Sequence, residues 1–464
     1  MKTEELLLIN PPLLFRKGFR RPSISIPLGL LYVIANIRNK AKASLMDFLG
    51  HPDVRLDNFQ KPKNDVCEQD YWIGLSIEQI KEQLARMKIP RFVGINLSFI
   101  SHSLVPVVEI ARIIKQIDPQ TVIIVGGSGV IEGLLDRFKD IDIVYFGEGE
   151  DRLINILRGE DLSKLRGIEF RSNRVIINTG KQDFIDNLDN LRPPVYTDIE
   201  LEKYFYFNSL GAESRYSYNT RSISFVTSRG CPFNCNFCMI GYVMGRRCRM
   251  HSVGYISQQL NLLKNKFSIE HLHIEDDNLS LDINRFILLL NEFKRAGISW
   301  DPSNGIMVNQ FDQDIVHKIK ASGCRSLRVA PESGSQRVID NIIGKKVSLK
   351  HIKNVIKWSH EAGLDVIGYL VIGFPEETMD DLQQTLDFAQ EYKDKYKVRW
   401  SVCMANPIWG SRLRQYCIEN NLLVNDDVIE VMGQGYKSRY MIKHPEFNEE
   451  FLSNCIRKIQ SSYL

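Results

Sequence analysis

Three cysteines lie close together in this chain and are the residues best suited to chemistry. Cys231, Cys235 and Cys238 are separated by three and two residues, and Phe237 directly precedes the last of them. Three thiolates at this spacing can hold three irons of a cubane iron–sulfur cluster and leave the fourth iron without a protein ligand. A metal site that is one ligand short keeps a position open for a reacting molecule. The spacing therefore favours a reactive 4Fe–4S cluster.

Two other interpretations of the cysteines are open at this point. A four-ligand zinc site could be formed by Cys235, Cys238, Cys248 and His251, whose spacing suits it, although this set leaves Cys231 without a role. Free cysteines are also common core residues. The cluster hypothesis differs from both, because it predicts later segments that bind the molecule reacting at the open iron.

The composition is that of an ordinary globular protein. Of 464 residues, 44% are apolar and 25% are charged, and the net charge of +4 is too small to predict a nucleic-acid surface. A basic run at 16–21 is expected to be a solvated loop. The chain is long enough for about two or three domains.

The sequence also predicts a cellular location. No apolar run reaches the length of about 18 residues that suggests a membrane span. The first residues, Met1 to Glu5, lack the charge pattern of a secretory signal. Three of the nine cysteines are too closely spaced for an ordinary disulfide framework, which indicates a reducing compartment. We therefore predict a cytoplasmic protein.

The first 190 residues alternate apolar runs with helical patterns. Near-continuous apolar strands separated by helices predict an α/β, Rossmann-like domain with a parallel, doubly wound sheet. Such sheets bind ligands at the carboxyl ends of their strands. The predicted strands are 5–10, 91–97, 121–125 and 141–145, and the predicted helices are 28–39 and 105–117.

Two of these strands run into glycine-rich segments. One segment is Gly126-Gly127-Ser128-Gly129 and the other is Gly147-Glu148-Gly149-Glu150. Glycine permits positive φ and close approach of a ligand to the backbone, although ordinary tight turns would look the same. The G-x-G-x-x-G fingerprint is absent, which weakens a nicotinamide or flavin assignment.

A second series of strand–helix units follows a predicted linker at 191–220. Strands at 223–226, 271–275, 326–329, 366–372 and 399–404, with a further one near 305–308, predict a partial (β/α)6 barrel of the TIM type over 221–404. In such barrels the chemistry lies at the carboxyl ends of the strands. Residues 405–464 are predicted to form a small helical C-terminal segment, a possible substrate cap.

Polar residues and a glycine follow three of the barrel strands. Asp276 and Asp277 end one strand, Glu332 and Ser333 the next, and Gly373 a third. The acids could face an ammonium group, and a carboxylate can accept hydrogen bonds from ribose hydroxyls. Helix caps and solvated turns are the alternative interpretation of each segment.

Together these motifs resemble a known family. Residues 221–404 look like a radical S-adenosylmethionine (SAM) core, and residues 1–190 resemble the cobalamin-binding domain of cobalamin-dependent radical SAM enzymes. The phrases that carry the resemblance are 188–196, 227–238, Asn10-Pro11-Pro12, Pro27-Leu28-Gly29-Leu30 and the two glycine-rich segments.

The resemblance implies three cofactors and their sites. Cys231, Cys235 and Cys238 would hold the 4Fe–4S cluster. His251 also fits the family's sequence pattern, which makes the zinc interpretation less favoured. The SAM residues would be Arg249, Asp276, Asp277, Glu332, Ser333 and Gly373. The cobalamin residues would be Asn10, Pro11, Leu28, Gly29, Ser98, Gly126, Gly127, Ser128, Gly147, Glu148 and Gly149.

Some residues depart from the family pattern. The D-x-H-x-x-G motif is absent, so a lower axial histidine is not expected, and His51 and His102 are predicted to be structural. Tyr369 stands where the superfamily often has glycine, and Gln258 and Gln259 occupy a stretch that commonly carries an acid. Only Cys67 precedes the triplet, which opposes a methylthiotransferase. Three further cysteines are predicted core thiols: Cys324, Cys403 and Cys417.

The resemblance implies a methyltransferase that acts on an unactivated carbon. A methyl group would pass from SAM through methylcobalamin to a substrate radical made by the 5′-deoxyadenosyl radical, with an electron donor such as flavodoxin or ferredoxin. Rearrangement, cyclisation or oxidation without net methylation is the alternative, and a non-catalytic cobalamin sensor is a third. The substrate would be a small molecule or a peptide. Its pocket could be lined by Tyr204, Tyr206, 406–410 and 430–445, although core packing explains these residues equally well.

Overall fold

The computed structural model describes residues 4–15, 24–55, 70–98, 100–173, 175–180, 183–209, 221–427 and 440–460. The described residues fall into two compact units, one within 4–209 and the other within 221–460. The basic run at 16–21, Cys67 and part of the 430–445 segment lie outside the described residues.

A seven-stranded sheet forms the centre of the first unit. The strand order is β3-β1-β5-β6-β7-β8-β9. The first five strands are parallel, and β8 and β9 are antiparallel additions at one edge. The strands are β1 (Glu5–Asn10), β2 (Leu13–Phe15), β3 (Lys42–Asp47), β4 (Tyr71–Ile73), β5 (Phe92–Asn96), β6 (Val122–Gly126), β7 (Ile143–Tyr145), β8 (Ile168–Ser172) and β9 (Val175–Asn178), of which β2 and β4 form a separate antiparallel pair.

The parallel part has the 2-1-3-4-5 order of a flavodoxin-like sheet, which confirms the predicted doubly wound fold. Its switch point lies between β1 and β5, where Asn10 and Asn96 are the last strand residues. Ligands of such sheets bind outside the carboxyl ends of the strands at this point. The helices are α1 (Leu28–Ile37), α2 (Ile77–Ala85), α3 (Ile100–Ile117), α4 (Leu134–Arg137), α5 (Leu153–Leu157) and α6 (Leu201–Ser209).

The predicted linker is partly a folded piece of the first unit. Helix α6 begins at Leu201, and its Tyr204 is fully buried. The Tyr204 hydroxyl donates to the Asp47 carboxylate at 2.8 Å from the Oδ2 atom, at the end of β3. This buried contact ties α6 to the sheet of the first unit, so part of the predicted linker at 191–220 is helical. The burial of Tyr204 fits the core-packing interpretation, and a place for it in a substrate pocket stays a prediction.

Six parallel strands form an open, partial barrel in the second unit. One sheet has the order β10-β13-β14 and the other β15-β16-β17. Parallel bridges between Trp300 and Cys324 and between Ile306 and Val329 join them. The strands are β10 (Ser222–Phe225), β11 (Ser228–Arg229), β12 (Arg249–Met250), β13 (His271–Ile274), β14 (Ser299–Pro302), β15 (Ser326–Glu332), β16 (Asp365–Ile372) and β17 (Arg399–Met404).

The predicted partial (β/α)6 barrel is therefore confirmed, except for the place of one strand. We predicted a strand near 305–308, but β14 is Ser299–Pro302 and pairs with β13 from Ser299 opposite His271. Trp300 in β14 is fully buried, and its ring lies against those of Phe286 and Phe293. Ile306 contributes one isolated bridge.

Several helices of this unit begin at a polar side chain that accepts a hydrogen bond from a backbone N–H of the first helical turn. These capping residues are Ser252, Asp282, Asp312, Ser348 and Thr378. The helices are α7 (Ile240–Val243), α8 (Val253–Phe267), α9 (Ile283–Ala296), α10 (Gln313–Ala321), a π-helix (Val338–Ile343), α11 (Leu349–Glu361), α12 (Met379–Tyr396), α13 (Arg412–Glu419) and α14 (Glu449–Gln460). Among the described residues, no helix combines the length and apolar character needed to cross a bilayer.

Candidate active site

The cysteines occupy a loop between β11 and α7, and the turn before them depends on Gly230. Its φ is +88°, and an added Cβ would lie 2.5 Å from the Arg247 carbonyl oxygen. Its N–H donates to Asp277 Oδ2 at 2.7 Å. Gly230 thus starts the cysteine loop in a backbone conformation that other residues rarely adopt.

Asp276 supports the same loop from the end of β13. Its carboxylate accepts the Thr227 N–H and hydroxyl, both at 2.6 Å, and the Ser228 hydroxyl at 2.5 Å. Burial raises the pKa of Asp276, while these hydrogen bonds oppose the rise. Both carboxylate oxygens accept hydrogen bonds from the loop, so Asp276 holds the loop in place, and its contact with SAM stays a prediction.

Asp277 and Arg249 also have partners inside the protein. Asp277 is mostly buried, and this burial raises its pKa to about 6. Arg249 is 4% exposed and donates to the Met244 carbonyl at 3.0 Å. Each therefore has a structural role around the cysteine loop, and their contact with SAM stays a prediction.

The cysteine loop rests on the end of the π-helix. The Asn236 N–H donates to the Ile343 carbonyl at 2.9 Å, and the Asn236 side-chain amide donates to the Ile342 carbonyl at 2.7 Å. Helix C-termini leave carbonyls without helical partners, so these bonds satisfy groups that need them. Single π-turns are frequent at functional sites.

Helix α13 fixes the loop from the C-terminal segment. The Leu413 N–H donates to the Asn236 carbonyl and Arg412 donates to the Asn234 carbonyl, each at 2.8 Å. The ring of Phe237 lies 6.0 Å from that of Phe374. The C-terminal segment therefore shapes the cysteine loop, a role that no sequence pattern indicated.

The three thiols fit an iron–sulfur cluster chemically. Cys231, Cys235 and Cys238 are free and partly buried. Burial raises the pKa of all three thiols, that of Cys238 to about 11, and bound iron would reverse this by stabilising the thiolates. The Asn278 amide lies 3.9 Å from Cys231 Sγ, where it can donate to a thiolate.

The geometry opposes the zinc alternative. Sulfurs around one zinc ion lie about 3.8 Å apart, given Zn–S bonds of about 2.3 Å. In the described part of the chain, three ligand atoms come within 4.8 Å of one another at His271, His273 and Asp301 alone, so the four residues of the zinc hypothesis do not converge. His251 instead stacks on Tyr255 with ring centroids 4.0 Å apart.

The converging group at His271 and His273 is a buried ion-pair network. Asp301 accepts a hydrogen bond from Arg328 at 3.0 Å and contacts both histidines. Burial opposes ionisation of Asp301, but Arg328 and the histidines hold its pKa well below the usual range. Burial lowers the pKa of His273 to about 4, so it is neutral. Because Arg328 already neutralises the carboxylate, a cation has little reason to bind there.

At the end of β15, Glu332 pairs with Lys345, a residue that the sequence analysis did not identify. Glu332 has φ of +65° at a register shift against β16. Lys345 Nζ donates to Glu332 Oε1 and to the Ala330 carbonyl, both at 2.6 Å. The charge of Lys345 lowers, and that of Glu332 raises, the pKa of Cys235, which places the pair beside the cysteine loop.

Ser333 and Gly373 serve packing in this structure. Ser333 is fully buried and bonds the Thr385 hydroxyl at 2.9 Å. Gly373 has φ of +83°, and an added Cβ would lie 2.8 Å from Leu452 Cδ1 of α14. Its N–H donates to Glu377 at 2.5 Å. Leu452 of α14 thus lies beside Gly373, and the contacts of Ser333 and Gly373 with SAM stay predictions.

A polar network marks the switch point of the first unit. Asn10 donates to Asp47 at 2.8 Å, and Asn96 donates to the Ser98 hydroxyl at 2.6 Å and contacts Asn10 at 3.5 Å. Gly127 has φ of +118°, and an added Cβ would lie 2.5 Å from Asn96 Oδ1. The structure thus brings several predicted cobalamin residues together at one carboxyl edge.

Other residues predicted to bind cobalamin are either exposed or hydrogen-bonded within the protein. Ser128 donates to the Ser98 carbonyl at 3.0 Å. Gly29 is exposed, with open space where a Cβ would be. Glu148 is 5% exposed and accepts the Ile185 N–H at 2.7 Å, so it fixes the chain there, and its contact with cobalamin stays a prediction. The remaining predicted residues stay predictions: Pro11, Leu28, Gly126, Gly147 and Gly149.

The two histidines of the first unit are engaged in the protein, as we expected. His51 contacts the Asp53 N–H through Nδ1 and the Gln83 amide through Nε2, both at 3.2 Å. The ring of His102 lies 4.6 Å from that of Phe15.

Comparison with known proteins shows what this fold and site are similar to. Residues 225–389 match the family model of the radical SAM superfamily. The fold is similar to that of the radical SAM methyltransferase TsrM of Kitasatospora setae, solved with cobalamin and a 4Fe–4S cluster (TM-score 0.69, 16% identity, covering 90% of this chain and 78% of TsrM). It is also similar to the cobalamin-dependent radical SAM enzyme OxsB, solved with aqua-cobalamin and SAM (TM-score 0.72, 18% identity, covering 98% of this chain and 66% of OxsB).

Two relatives are similar to this chain in sequence over most of its length. A protein of Pyrococcus horikoshii, named as an uncharacterized methyltransferase, is 27% identical over 100% of this chain and 93% of its own length. Cytidylyl-2-hydroxyethylphosphonate methyltransferase of Streptomyces wedmorensis is 27% identical over 90% of this chain and 83% of its own length. Both similarities span the two units.

Proposed function

We propose that this chain is a cobalamin-dependent radical SAM methyltransferase that methylates an unactivated carbon. The observation that carries the proposal is a loop of three free thiols at the carboxyl edge of a partial barrel. The same chain contains a doubly wound unit whose switch point is lined by polar and glycine residues. Full-length relatives named as methyltransferases support methyl transfer as the outcome.

The cofactors would carry the hard chemistry and the protein would position them. When bound, the cluster and SAM supply the 5′-deoxyadenosyl radical, and cobalamin carries the methyl group. Cys231, Cys235 and Cys238 would hold three irons. The first unit would hold cobalamin at the edge formed by Asn10 and Asn96.

Glu332 and Lys345 would hold SAM beside the cluster. Lys345 binds one Glu332 oxygen and so fixes the carboxylate, which can accept hydrogen bonds from ribose hydroxyls. The Lys345 ammonium group is also a suitable partner for the SAM carboxylate.

A second candidate outcome is a radical reaction without net methylation. It is favoured by a relative from Cereibacter sphaeroides, anaerobic magnesium-protoporphyrin IX monomethyl ester cyclase, which is 21% identical over 71% of this chain. The substrate is proposed to be a small molecule. A cytoplasmic location and an electron donor such as flavodoxin or ferredoxin remain part of the proposal, because the cluster thiols require a reducing setting.

The test is anaerobic reconstitution with iron, sulfide, cobalamin, SAM and a strong reductant. Methyl transfer predicts S-adenosylhomocysteine as well as 5′-deoxyadenosine, while 5′-deoxyadenosine alone supports the second candidate. Cys238→Ala should abolish 5′-deoxyadenosine and leave bound cobalamin unchanged. Cys324→Ala, a buried core thiol, is the matched control and should retain both. Zinc without cobalt in the purified protein would end the proposal.

A further inference from the structure

Tyr369 points into the barrel from the middle of β16. Its neighbour Gly368 faces the outer helices, because an added Cβ there would overlap the ring of Trp400. Trp400 in turn donates to the Ala389 carbonyl of α12 at 2.8 Å. Successive side chains of a strand point to opposite faces, so Tyr369 lies on the inner face.

The Tyr369 side chain crosses the inside of the barrel to another strand end. Its hydroxyl donates to the Ser303 carbonyl, directly after β14, at 2.9 Å. The ring and the Ala330 methyl of β15 both lie 3.5 Å from the position of a Cβ on Gly305. The phenol therefore spans from β16 past β15 to the end of β14.

The buried ion-pair network lies one layer below this ring. Asp301 and Arg328 precede Ser303 and Ala330 by two positions on their strands, so they share the inner face but lie farther from the carboxyl edge. His271, His273, Asp301 and Arg328 are all fully buried. Glu332 lies two positions beyond Ala330, nearer the carboxyl end of β15.

We propose that Tyr369 is the floor of the reaction chamber, by which we mean the barrel interior at the carboxyl ends of β14 to β16. The ring separates the network from the edge where Glu332 and Lys345 lie, and it limits how deeply a substrate enters. The assignment of this space as a reaction chamber rests on the proposed function. The separation of the buried network from the carboxyl edge by the ring does not depend on it. Tyr369 is thus a specificity-determining residue for the reaction.

Physical reasons favour a rigid ring at this position. A buried Asp–Arg pair is sensitive to its surroundings, and a space above it would admit water. A reactive radical also needs a site from which water and side reactions are excluded. Tyrosine suits both needs, because its hydroxyl is fixed by the Ser303 carbonyl and its ring lies beside Gly305.

Chemical labelling of the intact, cofactor-loaded protein tests the floor. Diethyl pyrocarbonate acylates neutral imidazole, and mass spectrometry locates each modified histidine. His271 and His273 should stay unmodified in the wild type and in Tyr369→Phe, which keeps the ring. In Tyr369→Ala their modification should rise about tenfold or more, because the ring no longer excludes the reagent. Unmodified His271 and His273 in Tyr369→Ala would overturn the proposal, and so would modification in Tyr369→Phe.

Two internal controls separate a local opening from general loosening. His317 is exposed and should react in every variant, whereas His251 is 1% exposed and should react in none. If alanine also exposes His251, Tyr369→Leu replaces it in the same comparison. Labelling of His271 and His273 with His251 protected then supports the floor, and continued protection of all three opposes it.

Activity assays distinguish this proposal from the proposed function. Opening the floor should raise 5′-deoxyadenosine relative to S-adenosylhomocysteine by about threefold or more, because the radical is less well shielded. If no form of the protein, wild type included, makes S-adenosylhomocysteine, methyl transfer fails while the labelling still decides the floor. An unchanged product ratio in a labelled Tyr369→Ala variant would show that the floor does not limit the reaction.

Discussion

The pair formed by Glu332 and Lys345 shows how one residue can be recognised from sequence and its partner missed. Glu332 follows a strand in a suggestive phrase, whereas Lys345 lies in a run of ordinary polar residues. The contact between Lys345 Nζ and Glu332 Oε1 joins positions 13 apart through the turn after the π-helix. Periodicity does not report such a contact.

Lys345→Met should weaken SAM binding. The substitution keeps most of the side-chain length but removes the charge, so Glu332 and the SAM carboxylate lose a cationic partner. We expect the KM for SAM to rise about tenfold, the equivalent of about 1.4 kcal/mol. The measurement is initial-rate formation of 5′-deoxyadenosine against SAM concentration. Lys346→Met, at an exposed neighbour, should leave KM unchanged; equal effects of both variants would refute the assignment.

At the same scale, Asp301 should matter more for stability than any surface acid. Asp301→Ala leaves the Arg328 charge buried without its carboxylate, which costs about 3–5 kcal/mol. Asp314→Ala removes an exposed pair with Lys318 and should cost less than about 1 kcal/mol. Urea unfolding followed by tryptophan fluorescence compares them. Similar midpoints for the two variants would contradict the importance of the network.

The cysteine loop illustrates what elements contribute. The spacing of the cysteines is a local property, but the shape of their loop depends on β13, the π-helix and α13. Asp276, Asn236 and Leu413 supply the connecting hydrogen bonds. The loop is thus held by three elements that are distant from it in sequence.

Asn236→Ala should reduce cluster occupancy without unfolding the barrel. The change removes the side-chain bond to the Ile342 carbonyl, and an unsatisfied buried group costs about 1–3 kcal/mol. We expect iron per chain to fall by about half under limiting reconstitution, since a less ordered loop binds metal more weakly. Asn234→Ala is the matched control, because Asn234 is exposed and its backbone carbonyl, not its side chain, bonds Arg412. Iron contents that do not differ between these variants would exclude the docking role.

At the scale of the whole molecule, the two units should lose their cofactors independently. Gly127→Val places a branched side chain against Asn96 at a φ of +118°, so it should distort the switch-point edge. We expect cobalamin content to fall about tenfold or more while iron content stays at the wild-type level. Gly159→Ala tests positive φ alone, because no atom lies within 4 Å of its added Cβ, and it should retain cobalamin. Parallel loss of iron in Gly127→Val would argue against independent sites.

The sequence by itself determined the fold class of both units, and it identified three cysteines as the candidate cluster ligands. Strand–helix alternation, the triplet at Cys231 and the glycine-rich strand ends are local patterns, and local patterns can be read directly from sequence. For the same reason the parallel sheet and the partial barrel were predicted correctly. The strand β14 was predicted several residues too late in the sequence, and helix α6 within 191–209 was not predicted. Short strands whose pairing depends on distant partners carry little local signal.

Tertiary structure alone decided which residues each site residue contacts. It placed Asp276 under the cysteine loop, Leu452 against Gly373 and Lys345 on Glu332, and it buried the network of His271 and Asp301. The contact between Arg412 and Asn234 spans 178 positions. Such contacts follow from packing, in which shape and hydrogen bonding between remote segments select a partner that no spacing rule encodes.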